Sequence, residues 1–234
     1  MNGDKSMKKR IISMLFAGIL CASSIISVSA ATETEFTQTV SNIALQQQYM
    51  SLINTLDYEV ELERAESGIS DVPITQEILD NCIATSTDEN GNVVNLDVKV
   101  TIRDLGTVTR SVSEEGEHLY ALTAVASETV HNDDNVTKDG ITAYGTLIWI
   151  DHLGINNELF GVTGQWLSDM SGYPTGRQVM HGVVGGNSVT TYPTINAFSH
   201  YGSGLGTFKG FALFLETHCR TRYGSDVRLR IISH

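Results

Sequence analysis

Between Val94 and Ile102 apolar side chains fall on every second residue, with Asn95, Asp97, Lys99 and Thr101 between them. A period of two puts the two sets on opposite faces of an extended strand, one buried and one wet. This pattern constrains the chain more than any other because it recurs downstream. Segments 107–112, 118–130, 141–151, 158–168, 177–184, 209–223 and 227–233 also read as strands, and Gly, Asn, Asp and Ser fill the breaks. No helical period separates them, so the expected fold is mainly β, an antiparallel β-sandwich. The stretch 141–150 is apolar on both faces and belongs at the centre of a sheet, whereas 182–206 is rich in Gly, Ser and Thr and reads as a long loop.

Upstream the period is helical. Leu45, Tyr49, Leu52, Leu56 and Val60 recur at spacings of four and three within 38–66, and Gly68 sits where such a helix would stop. Thr75 is placed to cap a second, short helix whose apolar face is Ile78, Leu79, Cys82 and Ile83. The expected organisation is therefore an acidic, mostly helical N-terminal segment over 31–90 and a β-sandwich domain over 91–234. Residues 1–30 carry the parts of a secretory signal: a basic stretch at Lys5, Lys8, Lys9 and Arg10, an apolar run from Ile11 to Ile26, and small residues at Val28-Ser29-Ala30. Cleavage is expected after Ala30, giving a secreted protein with no transmembrane segment.

With that signal removed, 26 acidic side chains face 11 basic ones, and 21 of the acidic ones lie in residues 31–139. So acidic a chain is a poor partner for nucleic acid, which needs clustered Lys and Arg. Cys21 leaves with the signal, and the remaining pair in an exported chain, Cys82 and Cys219, is expected to form a disulfide.

The terminal hairpin carries the sharpest expectation. Along 211–223 Leu213, Leu215, Thr217, Cys219 and Thr221 share one face, and Glu216, His218, Arg220 and Arg222 the other; in the last strand Val227, Leu229 and Ile231 alternate with Arg228 and Arg230. A Gly224-Ser225-Asp226 loop sets Cys219 opposite Ile231, Arg222 opposite Arg228 and Arg220 opposite Arg230. Like charges directly opposed are unfavourable, so something must compensate. One compensation is an acidic piece around Glu59 to Glu66 lying over the arginines. The other is an anionic ligand, a cell-wall polymer or acidic glycan, gripped by the guanidinium forks of Arg220, Arg222, Arg228 and Arg230.

Other chemistry is sparse. His152, His181, His200 and His218 lack metal-ligand spacing, and adjacent strand residues His218 and Cys219 point to opposite faces. The loop from His131 to Asn135 departs from a calcium loop, Asn135-Val136-Thr137 is a glycosylation sequon, and Gly202-Ser203-Gly204-Leu205-Gly206 lacks the context of a nucleophile elbow. Glu158 with Asp169, or Asp151 with Glu216, are the carboxylate pairs a glycosidase would need. Trp149, on a face with Ile141 and Leu147, and Trp166, with Phe160 and Val162, read as core. Tyr173, Tyr192 and Tyr201 fall in polar or Gly-rich surroundings and read as contact residues. No motif points to a catalytic residue, metal or cofactor. The expected role is non-catalytic binding at or near the cell envelope; an extracellular hydrolase of wall or other glycans, and a secreted toxin or antimicrobial-associated protein, are the alternatives.

Overall fold

The structure, a computed structural model, describes residues 44–108, 117–128, 130–132, 135–137, 140–152, 157–168, 174–201 and 208–233. The signal-like residues 1–30 lie outside the described residues. The chain is mainly β. Among the described residues helices α1 (44–53), α2 (Tyr58–Glu66) and α3 (Gln76–Asp80) precede fourteen strands. Sheet A has the order β10 (Ser188–Thr191), β9 (Thr175–Val183), β13 (Leu213–Arg220), β14 (Asp226–Ser233), β1 (Cys82–Thr87), β2 (Val93–Leu96). Sheet B has the order β11 (Ala197–Tyr201), β8 (Asn157–Ser168), β7 (Ile141–Asp151), β4 (Glu117–Ser127), β3 (Val98–Val108), with β12 (Lys209–Gly210) also pairing β8. The hairpin of β5 (Val130–Asn132) and β6 (Asn135–Thr137) carries the sequon. Every pairing in both sheets is antiparallel.

The two sheets share one apolar core. From sheet A come Cys82, Ala84, Leu213, Leu215, Leu229 and Ile231; from sheet B come Ile102, Leu122, Leu147, Trp149, Val162 and Trp166. Gly145 on β7 shows how close they approach, since a methyl group there would sit 3.1 Å from Leu215 Cδ2 and 3.4 Å from Ile231 Cδ1. β7 is buried along nearly its whole length because its other face is covered as well: Tyr49 and Ile53 of α1 pack on Leu119, Ile148, Ile150 and Phe160, and Ala65 of α2 packs on Val125 and Tyr144. A strand covered on both faces must be apolar on both, as 141–150 is.

Several boundaries differ from the sequence pattern. The helical period over 38–66 is split at Asp57, whose carboxylate accepts from the backbone N–H of Glu59 and Val60 and so starts α2. Val60 consequently rotates off the apolar stripe and is exposed. The alternation from Val94 to Ile102 is not one strand. β2 ends at Leu96 in sheet A and β3 begins at Val98 in sheet B, so Asp97 carries the chain between sheets. Alternation continues through the crossing because both sheets turn their apolar sides to the same core. Cys82–Thr87, within the stretch whose composition is helical, pairs between β14 and β2 and is integral to sheet A. The expected loop 182–206 contains β10 and β11. Phe160 parts from Trp166 and Val162 because it falls at the register shift opposite Ile148/Trp149 and turns toward α1.

Candidate functional site

The terminal hairpin turns two residues earlier than the spacing suggests. Thr221 N–H donates to Ser225 O at 2.8 Å, and the loop is Arg222-Tyr223-Gly224, with Gly224 at φ 82° in the left-handed position that ends such a loop. Cys219 therefore opposes Val227, not Ile231, and the outward pairs become Arg220 with Asp226, His218 with Arg228 and Glu216 with Arg230. The expected opposition of arginines does not occur. Arg220 donates to Asp226 at 3.1 Å, Arg230 Nε stands 3.9 Å from Glu216, and the Arg222 guanidinium lies over the Tyr223 ring. That hydrogen bond from Arg220 is the main influence holding the Asp226 carboxyl below the usual range. Among the described residues no acidic helix covers these arginines. α2 packs on sheet B instead, where Glu61, fully buried, accepts from Arg103 of β3 at 2.7 Å.

The disulfide is absent too. Cys82 and Cys219 are free, buried thiols. Cys82 opposes Ile231 while Cys219 opposes Val227, and β14 lies between them. Two strand spacings of about 4.8 Å and four residues at about 3.3 Å put roughly 16 Å between their Cα atoms, against the ~4.4–6.8 Å a bridge requires. Burial pushes the Cys82 thiol up to about 12 and raises Cys219 as well, so both are inert as thiolates.

Of the two carboxylate pairs, Asp151 and Glu216 separate, and the pair of Glu158 with Asp169 lies partly outside the described residues. Asp151 ends β7 of sheet B and Glu216 lies on the outward face of sheet A; Asp169 is outside the described residues, as are Tyr173 and the run 202–206. Glu158 joins Glu117 around His152, with Nδ1 2.7 Å from Glu117 Oε1 and Nε2 3.0 Å from Glu158 Oε2, while Lys209 approaches Glu158 at 2.7 Å. The imidazole fills the space between the two carboxylates, where a glycosidic oxygen would need to sit. Among the described residues no three His, Cys, Asp or Glu side chains form a group able to hold a metal ion.

What the fold does bring together is the edge of both sheets formed by β9, β10 and β11. From Gln178 to Phe208, 31 consecutive residues contain no Asp, Glu, Lys or Arg, in a chain that is 18% charged. This run supplies the edge strand of sheet A, crosses through 192–196, and supplies the edge strand of sheet B. Tyr192 is 73% exposed, Ile195 51% and Val189 42%. Under the crossing lies a groove of about 320 Å³, walled by Thr191, Tyr192, Pro193 and Ile195 and floored by Phe198 and His200. Arg177 braces the crossing from β9, donating to Asn196 Oδ1 at 2.8 Å and to Thr194 O at 3.3 Å.

Behind the groove the rings form a column. Trp166 and Phe198 are 5.4 Å apart, Phe198 and His200 6.4 Å, His200 and His181 5.5 Å, and His181 meets Phe208 edge-on at 6.2 Å. His200 Nε2 stands 3.3 Å from Thr191 Oγ1; His181 is 1% exposed and its Nδ1 has no hydrogen-bond partner among the described residues. Burial, then the neighbouring His200, holds His181 down to about 4, and burial lowers His200 as well. Of the tyrosines singled out by sequence, Tyr192 is exposed, whereas Tyr201 packs against the α1 cluster. His181, His200, Ile195 and Phe198 were not legible as a group, although the long uncharged run was a signal visible in composition. The chain matches no protein-family model, no curated protein and no solved structure.

Proposed function

We propose that this chain is a secreted, non-catalytic β-sandwich protein that binds neutral glycan at or near the cell envelope, through the uncharged strip of β9, β10 and β11. The observation that carries the reading is the 31-residue run without a formal charge, exposed at the crossing as Tyr192 and Ile195 over a groove lined by hydroxyls and aromatic rings. Rigid aromatic anchors among Ser, Thr, Asn and Gly are the chemistry of adaptable binding loops. Such loops, set between strands at the rim of a sandwich, are where binding residues concentrate. An uncharged contact surface on an otherwise acidic protein favours an uncharged, hydroxyl-rich partner. The anionic wall polymer is the weaker ligand, because Arg220 and Arg230 already face Asp226 and Glu216.

Retention of the purified protein on cell-wall fractions at low and high salt tests this. Contacts without ion pairs are insensitive to screening, so retention is expected to hold at high salt. It should fall at least tenfold in Tyr192→Ala with Ile195→Ser, and stay unchanged in Arg228→Gln with Arg230→Gln. Retention abolished by salt or by the arginine changes would assign binding to an anionic polymer and overturn the reading.

A further inference from the structure

The groove is floored by His200, and His200 lies against His181, which is wholly inside the molecule. We propose that acid opens this strip: the His181–His200 pair packs between the sheets only while both rings are uncharged, so protonation expels β10 and β11 from the core edge and releases whatever the groove holds. The inference rests on the strip being the binding face; the opening itself does not.

The surroundings of the pair leave a positive charge without compensation. On β10 the residue opposite His181 is Val189, and on β13 it is Leu215. On β8 the residues opposite Phe198 and His200 are Gly164 and Val162. Phe208 closes the far side. Glu216 is on the outward face of β13 opposite Met180, and Arg177 on β9 is committed to Asn196 and Thr194. The stretch 202–207 is Gly, Ser, Gly, Leu, Gly and Thr and offers no titratable group. Among the described residues the one titratable group acting on His181 is therefore His200, and it repels. A second imidazolium 5.5 Å away compounds the cost of the first.

The geometry makes the response local. Among the described residues β10 pairs only with β9, and β11 only with β8, so both can leave without breaking the pairing of β13, β14, β7 or β4. With His181 held at about 4 in the closed form and at about 6.5 when open to water, each pH unit between those values raises the open population about tenfold.

Amide hydrogen exchange of the whole protein, corrected for the intrinsic pH dependence of exchange, measures this without any ligand. The opening constant of amides in β10 and β11 is expected to rise about tenfold per unit between about pH 6 and about pH 4.5, with β4 and β7 amides unchanged. In His181→Leu and His181→Gln the slope should flatten. A wild-type strip that stays closed to pH 4.5, or variants that keep the full slope, would overturn the proposal. If neither variant folds, nitrogen NMR of the wild-type imidazoles decides it, since a His181 ring titrating at its ordinary value refutes the device and one titrating far below it supports the device. Wall retention over the same pH range separates the two readings: a strip that opens in acid, with no retention at any pH, leaves the switch intact and removes the glycan reading.

Discussion

Replacing Arg103 by Met should turn the contact between α2 and sheet B from a support into a liability whose size depends on pH. Glu61 is fully buried with one oxygen bonded to Arg103 Nη1 at 2.7 Å and the other without a hydrogen-bond partner among the described residues. Burial pushes its carboxyl up, against the opposing pull of Arg103 and then Arg64. Two unit charges about 4 Å apart attract by roughly 4 kcal/mol at an effective dielectric of about 20. Because Arg103 retains some solvent access, about 3 kcal/mol is the expected loss at neutral pH, at the lower end for breaking one side of a buried pair. Asp71 loses its contact with Arg103 at 3.3 Å but keeps Arg64 at 2.6 Å, which limits the collateral effect. The sign of the pH dependence follows from the raised carboxyl. A group whose folded value lies above its unfolded value stabilises fully below the unfolded value and loses that contribution as pH rises through the folded one. Without Arg103 the folded value rises further, so the deficit should be larger at pH 7.5 than at pH 5, where Glu61 more readily takes up a proton. Urea unfolding followed by far-ultraviolet circular dichroism at both pH values measures it, and Glu61→Gln with Arg103→Met should recover most of the loss. A deficit below about 1 kcal/mol at pH 7.5, or one that does not shrink in acid, would refute the burial of an ionised pair beneath α2.

Gly145→Val should cost about 1–3 kcal/mol by overpacking, because Leu215, Ile231 and Leu229 already meet the site; a thermal melt shifted downward with an unchanged circular dichroism spectrum is expected. Gly224→Ala, at φ 82° in the terminal hairpin, should lose about 1 kcal/mol in urea unfolding. Since Cys82 and Cys219 are free, reductant should leave the melting temperature unchanged, and both thiols should react with a chromogenic disulfide only after denaturant is added. Arg220→Gln breaks an exposed pair with Asp226 and should leave the urea midpoint nearly unchanged, with any difference erased by high salt.

What the amino-acid order determined alone is local. Which residues of β14 face inward and that Cys219 points to the core follow from a period of two, and that β7 is covered on both sides follows from its being apolar on both faces, all read from neighbouring side chains. Tyr192 stood out on the same kind of evidence. Tertiary structure decided whatever depends on which strand meets which. A hairpin slipped by an even number of residues keeps every side chain on its own face, so the pattern of β13 and β14 permitted both the arginine–arginine register and the one with Asp226 and Glu216 opposite them. Alternation likewise runs unbroken through Asp97 although the chain changes sheets there, and it is silent about the strand separating Cys82 from Cys219. The stacking of His181 on His200 joins opposite sheets through a crossing of the chain. Periodicity records the environment of each residue, buried or wet; the identity of its neighbour is set by long-range pairing, which only the folded chain supplies.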